Sequence, residues 1–254
     1  MVRIKNISFL LLLLSILIVS CSNYNQYTKV ETSVIKIDSI NVPVDDSIIT
    51  AMIKPYKDQL DAEMNQIVGT TEEAFIKGTP EGLLGNFVAD LTLKKANDYN
   101  KEPEKVDFCI LNAGGLRTPL PKGAIKKSKV FELMPFENEL VILSLKGDKV
   151  MEMFQFIAKK GGIPVSGFKM GIKDTTAVNI KVGDSNFDLN KNYRVVTSDY
   201  LANGGDKMVF FKDPIKRVAL NLKVRDAIIE YMVEETKKGN KLKSKLDNRI
   251  YFEK

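Results

Sequence analysis

Three short segments of the chain collect the amide, carboxylate, guanidinium and aromatic side chains that bind small polar ligands. The first, residues 111–117, reads Leu-Asn-Ala-Gly-Gly-Leu-Arg. Asn112 offers both a donor and an acceptor, and Arg117 offers a cationic donor fork suited to phosphate, carboxylate or a ring nitrogen. Gly114 and Gly115 allow a tight turn and a close approach of a ligand to backbone N–H groups. An ordinary glycine turn with a surface arginine is the alternative for this segment alone.

The second segment, residues 134–138, reads Met-Pro-Phe-Glu-Asn and places an aromatic ring in a polar loop. Phe136 can serve there as a stacking surface, and Asn138 adds a second amide. A position in the hydrophobic core is the alternative for Phe136 when this segment is considered by itself.

The third segment, residues 199–206, reads Asp-Tyr-Leu-Ala-Asn-Gly-Gly-Asp. Tyr200 stands at its entrance, and Gly205 belongs to a Gly-Gly turn bracketed by Asn203 and Asp206. The alternative is a turn that is held only by hydrogen bonds from these Asx side chains.

Composition excludes several classes of site. The 254 residues include no His and only two Cys, which rules out Ser–His and Cys–His catalysis, His-based zinc sites and Cys cages. Hydrophobic residues make up 44% and charged residues 28%, as in a globular chain. The Lys residues are dispersed among Asp and Glu, so no nucleic-acid-binding stripe is predicted.

The N-terminus has the pattern of an export signal. Arg3 and Lys5 precede an uncharged run over residues 7–20 that is shorter than the roughly 20 residues a membrane-spanning helix needs. The run ends Ile-Val-Ser-Cys, which resembles the bacterial lipobox with Cys21 as the lipidated residue. We therefore expect residues 1–20 to be a signal peptide and residues 21–26 a lipidated tether, in a protein anchored to the membrane of the bacterial cell envelope. A non-lipidated signal or an N-terminal anchor helix is the alternative.

Removal of such a leader would take away Arg3 and Lys5 and lower the formal net charge from +6 to +4. With Cys21 acylated, Cys109 has no partner in the chain, and its apolar neighbours predict a buried thiol rather than a disulfide.

Hydrophobic periodicity predicts a single α+β domain over residues 27–254, with a mixed β-sheet and flanking helices. Strands are expected over residues 27–37, 106–111, 140–145, 177–182 and 193–198. Helices are expected over residues 45–67, with a possible kink at Pro55, and over residues 80–99, 148–160 and 222–238. Asp45 and Asp46 offer N-caps for the first helix, and Gly161 would end the helix over residues 148–160. For the second helix, Thr79 would be the N-cap and Pro80 the first helical residue.

Taken together, the three segments resemble the C-terminal, substrate-binding domain of the 5'-nucleotidase family in order and spacing. Its elements N-G-G-G-[IL]-R, P-F-x-N and F-L-A-N-G-G-D are matched by residues 112–117, 135–138 and 200–206, with Ala113 in place of one glycine. Further matches are the helix E-x-x-x-G-N-x-x-x-D at residues 81–90, the strand leading to L-K-G at residues 140–147 and V-S-G at residues 165–167. The resemblance covers about residues 65–252.

The resemblance implies a binding site for a nucleotide or nucleoside. Phe136 and Tyr200 would hold the base between their rings, where Tyr200 replaces the family's usual Phe. Asn112 would reach the base edge, Arg117 the base or ribose, and Asp206 the ribose hydroxyls. The remaining residues expected at the site are Gly114, Gly115, Asn138, Asn203 and Gly205.

Family enzymes also carry a larger N-terminal domain with two divalent metal ions, held in part by several His residues. A chain without His cannot supply that dinuclear site, so the metal ions are expected only in a partner. The leading hypothesis is a nucleotide-recognition lipoprotein that works with a separate metallophosphatase, with no catalytic residue or cofactor of its own. The alternatives are a non-catalytic scaffold or nucleotide-binding lipoprotein, and a self-contained phosphoric ester hydrolase.

Overall fold

A computed structural model describes residues 29–36 and 46–253. The chain divides into two compact units, Met1–Met52 and Ile53–Lys254. The predicted signal peptide and tether, including Cys21, lie outside the described residues. Residues 29–36 form no regular element, so the strand predicted over residues 27–37 is wrong there. Val30 and Val34 are exposed, and β-branched residues form a strand only where a neighbouring strand and a packing surface are supplied.

The helices and strands follow each other in a mixed order. The helices are α1 Ser47–Met64, α2 Leu83–Tyr99, α3 Lys127–Leu133, α4 Gly147–Lys160, α5 Asp199–Ala202 and α6 Val224–Lys237. The strands are β1 Ile67–Thr71, β2 Phe108–Ile110, β3 Gly123–Lys126, β4 Glu139–Lys146, β5 Val165–Ser166, β6 Phe168–Lys173, β7 Thr176–Val182, β8 Ser185–Asn186, β9 Asn192–Ser198, β10 Lys216–Lys223 and β11 Ile250–Phe252. The α+β class predicted from the sequence is confirmed.

A five-stranded sheet in the order β10-β4-β9-β2-β5 forms the centre of the second unit. Strands β2 and β9 run parallel, and the other neighbouring strands run antiparallel. Side chains of β4 alternate between two cores: Ile142 packs with α2 and α6, while Val141 and Leu143 pack with α4. Burial on both faces explains the continuous apolar run of this strand.

Two smaller sheets complete the unit, one of β1 and β3 and one in the order β11-β6-β7-β8. Phe168 of the second small sheet lies edge-on to Phe154 of α4 with ring centroids 5.0 Å apart, so this sheet shares a core with the central one. Cys109 of β2 is fully buried, as predicted, and burial raises the pKa of its thiol well above the usual value.

Helix α1 begins after Asp46, whose carboxylate accepts the backbone N–H of Ile48 at 2.8 Å, and it passes through Pro55. None of its residues is buried. No helix among the described residues is both long and apolar enough to cross a bilayer.

Helix α2 begins at Leu83, so the predicted start at Pro80 is wrong. The Thr79–Pro80 bond is cis, and Gly82 is still extended with φ −151°. The backbone N–H of Leu84 donates to the carbonyl of Ile76, which turns the chain back before the helix begins.

The other predicted elements are found with shifts of a few residues at their ends. The predicted helix 222–238 begins at Val224 because Lys216–Lys223 form β10 on the edge of the central sheet. Helix α4 ends, as predicted, at Gly161, which adopts the left-handed conformation with φ 72°.

The motif at residues 81–90 fixes the C-terminal segment of the chain against α2. Asn86 donates to Glu81 at 2.9 Å and to the carbonyl of Lys245 at 2.8 Å. Arg249 is 5% exposed, and all five of its N–H donors are bonded, to Asp90, to Asp247 and to a backbone carbonyl of β5. Burial alone would lower the pKa of Arg249, but its bonds to Asp247 and Asp90 outweigh that effect and raise the pKa. This motif therefore holds the fold together.

Candidate functional site

Sheet topology brings the three polar segments together at one end of the central strands β4, β9 and β2. Residues 111–117 follow β2 and residues 199–206 follow β9, and these two strands are parallel neighbours. Residues 134–138 precede β4, which runs antiparallel to β9, so they lie at the same end. The segments surround a cleft of about 420 Å³ lined by Leu111, Asn112, Gly114, Gly115, Arg117, Met134, Phe136, Asn138, Ser198, Tyr200, Asp206 and Val224.

Most of the predicted site residues are therefore brought together. The two that do not line the cleft are Asn203 and Gly205. Asn203 accepts a hydrogen bond from Arg217 of β10 at 2.7 Å, so it fastens the end of α5 to the sheet edge. Gly205 lies directly against the ring of Tyr200, where an added Cβ would come within 2.6 Å of the ring carbons.

The two aromatic rings are the large apolar groups that the cleft exposes. Phe136 is 40% exposed and Tyr200 is 45% exposed. This exposure excludes the core alternative for Phe136, since the core aromatics Phe108 and Phe154 are fully buried. Both rings line the cleft and keep a large exposed surface, so they are available to a planar ligand.

Asp206 connects the first and third segments. One carboxylate oxygen accepts from the Asn112 amide at 2.6 Å, and the other accepts from the Tyr200 hydroxyl at 2.8 Å. Asp206 has a positive φ of 51°, which is uncommon for a residue other than glycine. In this conformation Asp206 lines the cleft, and its carboxylate stays bonded to both neighbouring side chains.

Asn138 connects the second and third segments. Its amide donates to Asp199 at 3.0 Å, and the same carboxylate oxygen accepts the backbone N–H groups of Glu139 and Tyr200. The N-cap of α5 is Ser198, whose hydroxyl accepts from the N–H of Leu201 at 3.3 Å. The position of Tyr200 is thus fixed by both neighbouring segments.

Arg117 carries the positive charge at the cleft. It is exposed, and its guanidinium donates to the carbonyl of Gly114 at 3.3 Å across its own turn. This contact holds the side chain beside the Gly-Gly backbone, and Arg117 is among the residues that line the cleft.

The sequence analysis did not identify Arg225, which is buried next to the second segment and hydrogen-bonds to it. Arg225 is 6% exposed, stacks on the ring of Phe131 at 4.2 Å and donates to the carbonyls of Met134 and Phe136. It also pairs with Glu137. No local signal could identify it, because Arg225 lies in α6, 89 positions after Phe136.

Glu137 is held charged by two cations. Its hydrogen bonds to Lys223 and Arg225 lower the pKa of the carboxyl to about 2. The second segment is therefore tied to α6 by an ion pair that persists at every physiological pH.

Metal ligation does not fit the described residues. Within residues 29–36 and 46–253, no three Asp, Glu or Cys side chains are grouped so that they could hold a metal ion. A dinuclear site cannot be built from these residues.

Comparison with known proteins identifies relatives of this chain. Residues 67–213 match the family model described as "5'-nucleotidase, C-terminal domain". The trifunctional nucleotide phosphoesterase protein YfkN of Bacillus subtilis is 30% identical over 221 residues, which cover 77% of this chain and 14% of that protein. Human 5'-nucleotidase is 25% identical over 70% of this chain and 36% of its own length.

A solved structure agrees with these matches. The 5'-nucleotidase precursor of Thermus thermophilus superposes with a TM-score of 0.69 and 25% identity, over 81% of this chain and 43% of that one. The chain thus spans less than half the length of each of these three relatives. With more than half of its residues matched by the family model and the same fold in a solved relative, the chain belongs to the family of 5'-nucleotidase C-terminal domains.

Proposed function

We propose that this chain recognises a nucleotide or nucleoside and presents it to a separate metallophosphatase. The observation that carries the proposal is the pair of half-exposed rings, Phe136 and Tyr200, that line one cleft with the hydrogen-bonded pair of Asn112 and Asp206. The relatives named as nucleotidases and a nucleotide phosphoesterase support the same class of ligand.

The size and chemistry of the cleft suit one nucleoside. Its volume of about 420 Å³ lies in the range of small-molecule sites, roughly 300–1,000 Å³. Stacking on an aromatic ring contributes about 1–3 kcal/mol per base and is available to every base. Asn112 supplies polar contacts for a base edge, Asp206 accepts from sugar hydroxyls, and Arg117 supplies a cation for anionic oxygens.

Hydrolysis is the part we assign to the partner. The relatives extend well beyond the region that this chain matches, and the described residues of this chain do not form a metal site. When bound in such a partner, two divalent ions would activate water and stabilise displacement at phosphorus. This chain would contribute by holding the nucleotide, since a clamped substrate converts an encounter into a step within one complex.

We also propose an envelope location. A lipid on Cys21 would attach the domain that follows to a membrane, with each buried CH₂ contributing roughly 0.8 kcal/mol. Mass spectrometry of the protein from a bacterial membrane fraction should find an acylated Cys21 at the N-terminus. An uncleaved chain, or a mature chain that begins at another residue, would contradict this part of the proposal.

Titration calorimetry of the full chain with AMP and adenosine tests the recognition. We expect both to bind, and Phe136→Ala and Tyr200→Ala each to weaken binding by about 5- to 150-fold, which corresponds to the loss of 1–3 kcal/mol of stacking. Phe252→Ala is the matched control, because Phe252 is 57% exposed on β11 and lies outside the cleft lining. Affinity that is unchanged in both cleft variants would refute the clamp.

Reconstitution tests the partnership. Mixed with a metallophosphatase subunit from the same source, the full chain should accelerate release of phosphate from AMP, and the Phe136→Ala and Tyr200→Ala variants should not. Phosphate release by this chain alone would instead favour the self-contained hydrolase.

A further inference from the structure

The hydroxyl of Tyr200 makes contacts that a stacking role does not require. It donates to one oxygen of the Asp206 carboxylate at 2.8 Å and accepts the backbone N–H of Asp206 at 3.3 Å. A phenylalanine at this position could present the same ring to a base without either contact. The hydroxyl therefore acts on Asp206 rather than on the stacked ligand.

Both oxygens of the Asp206 carboxylate are used in the same way. Asn112 bonds one oxygen and Tyr200 bonds the other, one from each neighbouring segment. An ionised carboxylate has about four lone-pair positions, so each oxygen keeps one position for a further donor. The two protein contacts restrict rotation of the carboxylate, and Asp206 lines the cleft, so each of its oxygens can accept from a ligand in a fixed orientation.

The ring of Tyr200 is fixed as firmly as its hydroxyl. Gly205 lies within contact of the ring, and the N–H of Tyr200 is bonded to Asp199 at 2.7 Å. In this arrangement the hydroxyl lies beside Asp206.

We propose that Tyr200 is a positioning residue for Asp206, and that through this contact the site selects ribonucleotides over 2'-deoxyribonucleotides. Adjacent sugar hydroxyls match two adjacent acceptor positions, whereas a 2'-deoxy sugar offers one donor to a pair of acceptors and leaves the second unmatched. This inference rests on the proposed function, since it assigns a sugar preference to the same cleft.

The experiment measures the affinity of the full chain for AMP and for 2'-deoxy-AMP by calorimetry. Wild type should bind AMP at least tenfold more tightly. Tyr200→Phe keeps the ring, so its affinity for 2'-deoxy-AMP should stay within twofold of wild type, while its preference for AMP falls by about three- to tenfold. Tyr56→Phe, which removes an exposed hydroxyl outside the cleft lining, is the matched control and should change neither affinity.

A double-variant cycle separates positioning from a general structural effect. In an Asp206→Ala background, Tyr200→Phe should leave the ratio of the two affinities unchanged, because the group that Tyr200 positions is gone. An equal loss of preference in both backgrounds would overturn the inference, and so would an unchanged ratio in Tyr200→Phe. Equal binding of both nucleotides by wild type would overturn it as well, while leaving nucleotide recognition intact.

A measurement without ligand distinguishes failure of the inference from failure of the proposed function. The amide of Asp206 donates to the Tyr200 hydroxyl, so its hydrogen exchange, followed by NMR, should accelerate in Tyr200→Phe. If wild type binds neither nucleotide, the proposed function is wrong. The exchange rate alone then tests whether the Tyr200 hydroxyl holds Asp206 in place. An unchanged rate would then reject the positioning role of Tyr200.

Discussion

Two polar clusters of this protein each include residues of a recognisable sequence motif, and they have different roles. Around Arg249, the guanidinium is 5% exposed and every N–H donor is bonded within the protein. Around Asp206, the carboxylate accepts two protein hydrogen bonds at the open edge of a cleft and has capacity for more. A saturated, buried cluster stabilises the fold, whereas an open one with acceptor positions left can bind a ligand. The motif alone does not tell a structural cluster from a ligand-binding one. The exposure of the side chains and the number of hydrogen-bonding positions still available do.

The largest effect should come from removing the centre of the buried cluster. Arg249→Met leaves Asp90 and Asp247 without their partner, and we expect the free energy of unfolding to fall by about 3 kcal/mol in urea titrations. Lys94→Met is the control, because the Lys94–Asp98 pair is half exposed and should change stability by less than about 1 kcal/mol. Equal stability losses in the two variants would erase the proposed distinction between the clusters.

A substitution at Gly205, which contacts the Tyr200 ring, should disturb the cluster around Asp206. In Gly205→Ala the new Cβ would lie 2.6 Å from the Tyr200 ring, so the ring must move and AMP affinity should fall by about tenfold, roughly 1.4 kcal/mol. A urea titration of Gly205→Ala is the control for folding, because a loss of affinity reports on the ring position only in a folded protein. Full AMP affinity in Gly205→Ala would show that the ring position is not important for binding.

The tie between the second and third segments should have a smaller effect. Asn138→Ala removes the hydrogen bond to Asp199, and the expected loss of AMP affinity is about three- to tenfold, in line with roughly 0.5–1.5 kcal/mol for one hydrogen bond. Asn240→Ala removes a similar amide–carboxylate bond, to Glu235 outside the cleft, and should leave AMP binding unchanged. A similar loss in both variants would mean that the Asn138 contact has no specific role.

The smallest effect concerns Glu137 and pH. Its pKa of about 2 lies below the ordinary value of 4.5, so the stability it contributes is complete above pH 4.5 and is lost as the pH falls toward 2. The difference in unfolding free energy between wild type and Glu137→Gln should therefore be constant from pH 7 to pH 5 and shrink below that. A difference that already declines between pH 7 and pH 5 would contradict the assigned pKa.

Local sequence was sufficient to predict those features of the fold that depend on neighbouring residues. The Gly-Gly turns, the Asp46 cap and the Gly161 helix end are properties of a few adjacent residues, and the continuous apolar run of β4 follows from burial on both faces. That the three polar segments form one site could be predicted only from the family resemblance.

What the sequence could not show depends on distant partners. Arg225 acquires its role from groups far away in the chain, and Arg249 needs the distant Asp90 and a carbonyl of β5 in addition to the nearby Asp247. The strand predicted over residues 27–37 had the right residue types but no neighbouring strand in the structure. The late start of α2 depends on a backbone contact between Ile76 and Leu84 that spacing alone does not reveal.

The buried thiol of Cys109 gives this protein a built-in reporter. Cys109 lies on β2, three residues before Asn112, and its thiol is buried in the core that α2 and α6 pack against, so it can react with a modifying reagent only when the structure around β2 opens. The rate of modification thus measures how often the end of the sheet that carries the cleft opens. A molecule that bridges the loops after β2 and β9 should slow the reaction, so occupancy of the cleft can be followed without a labelled ligand.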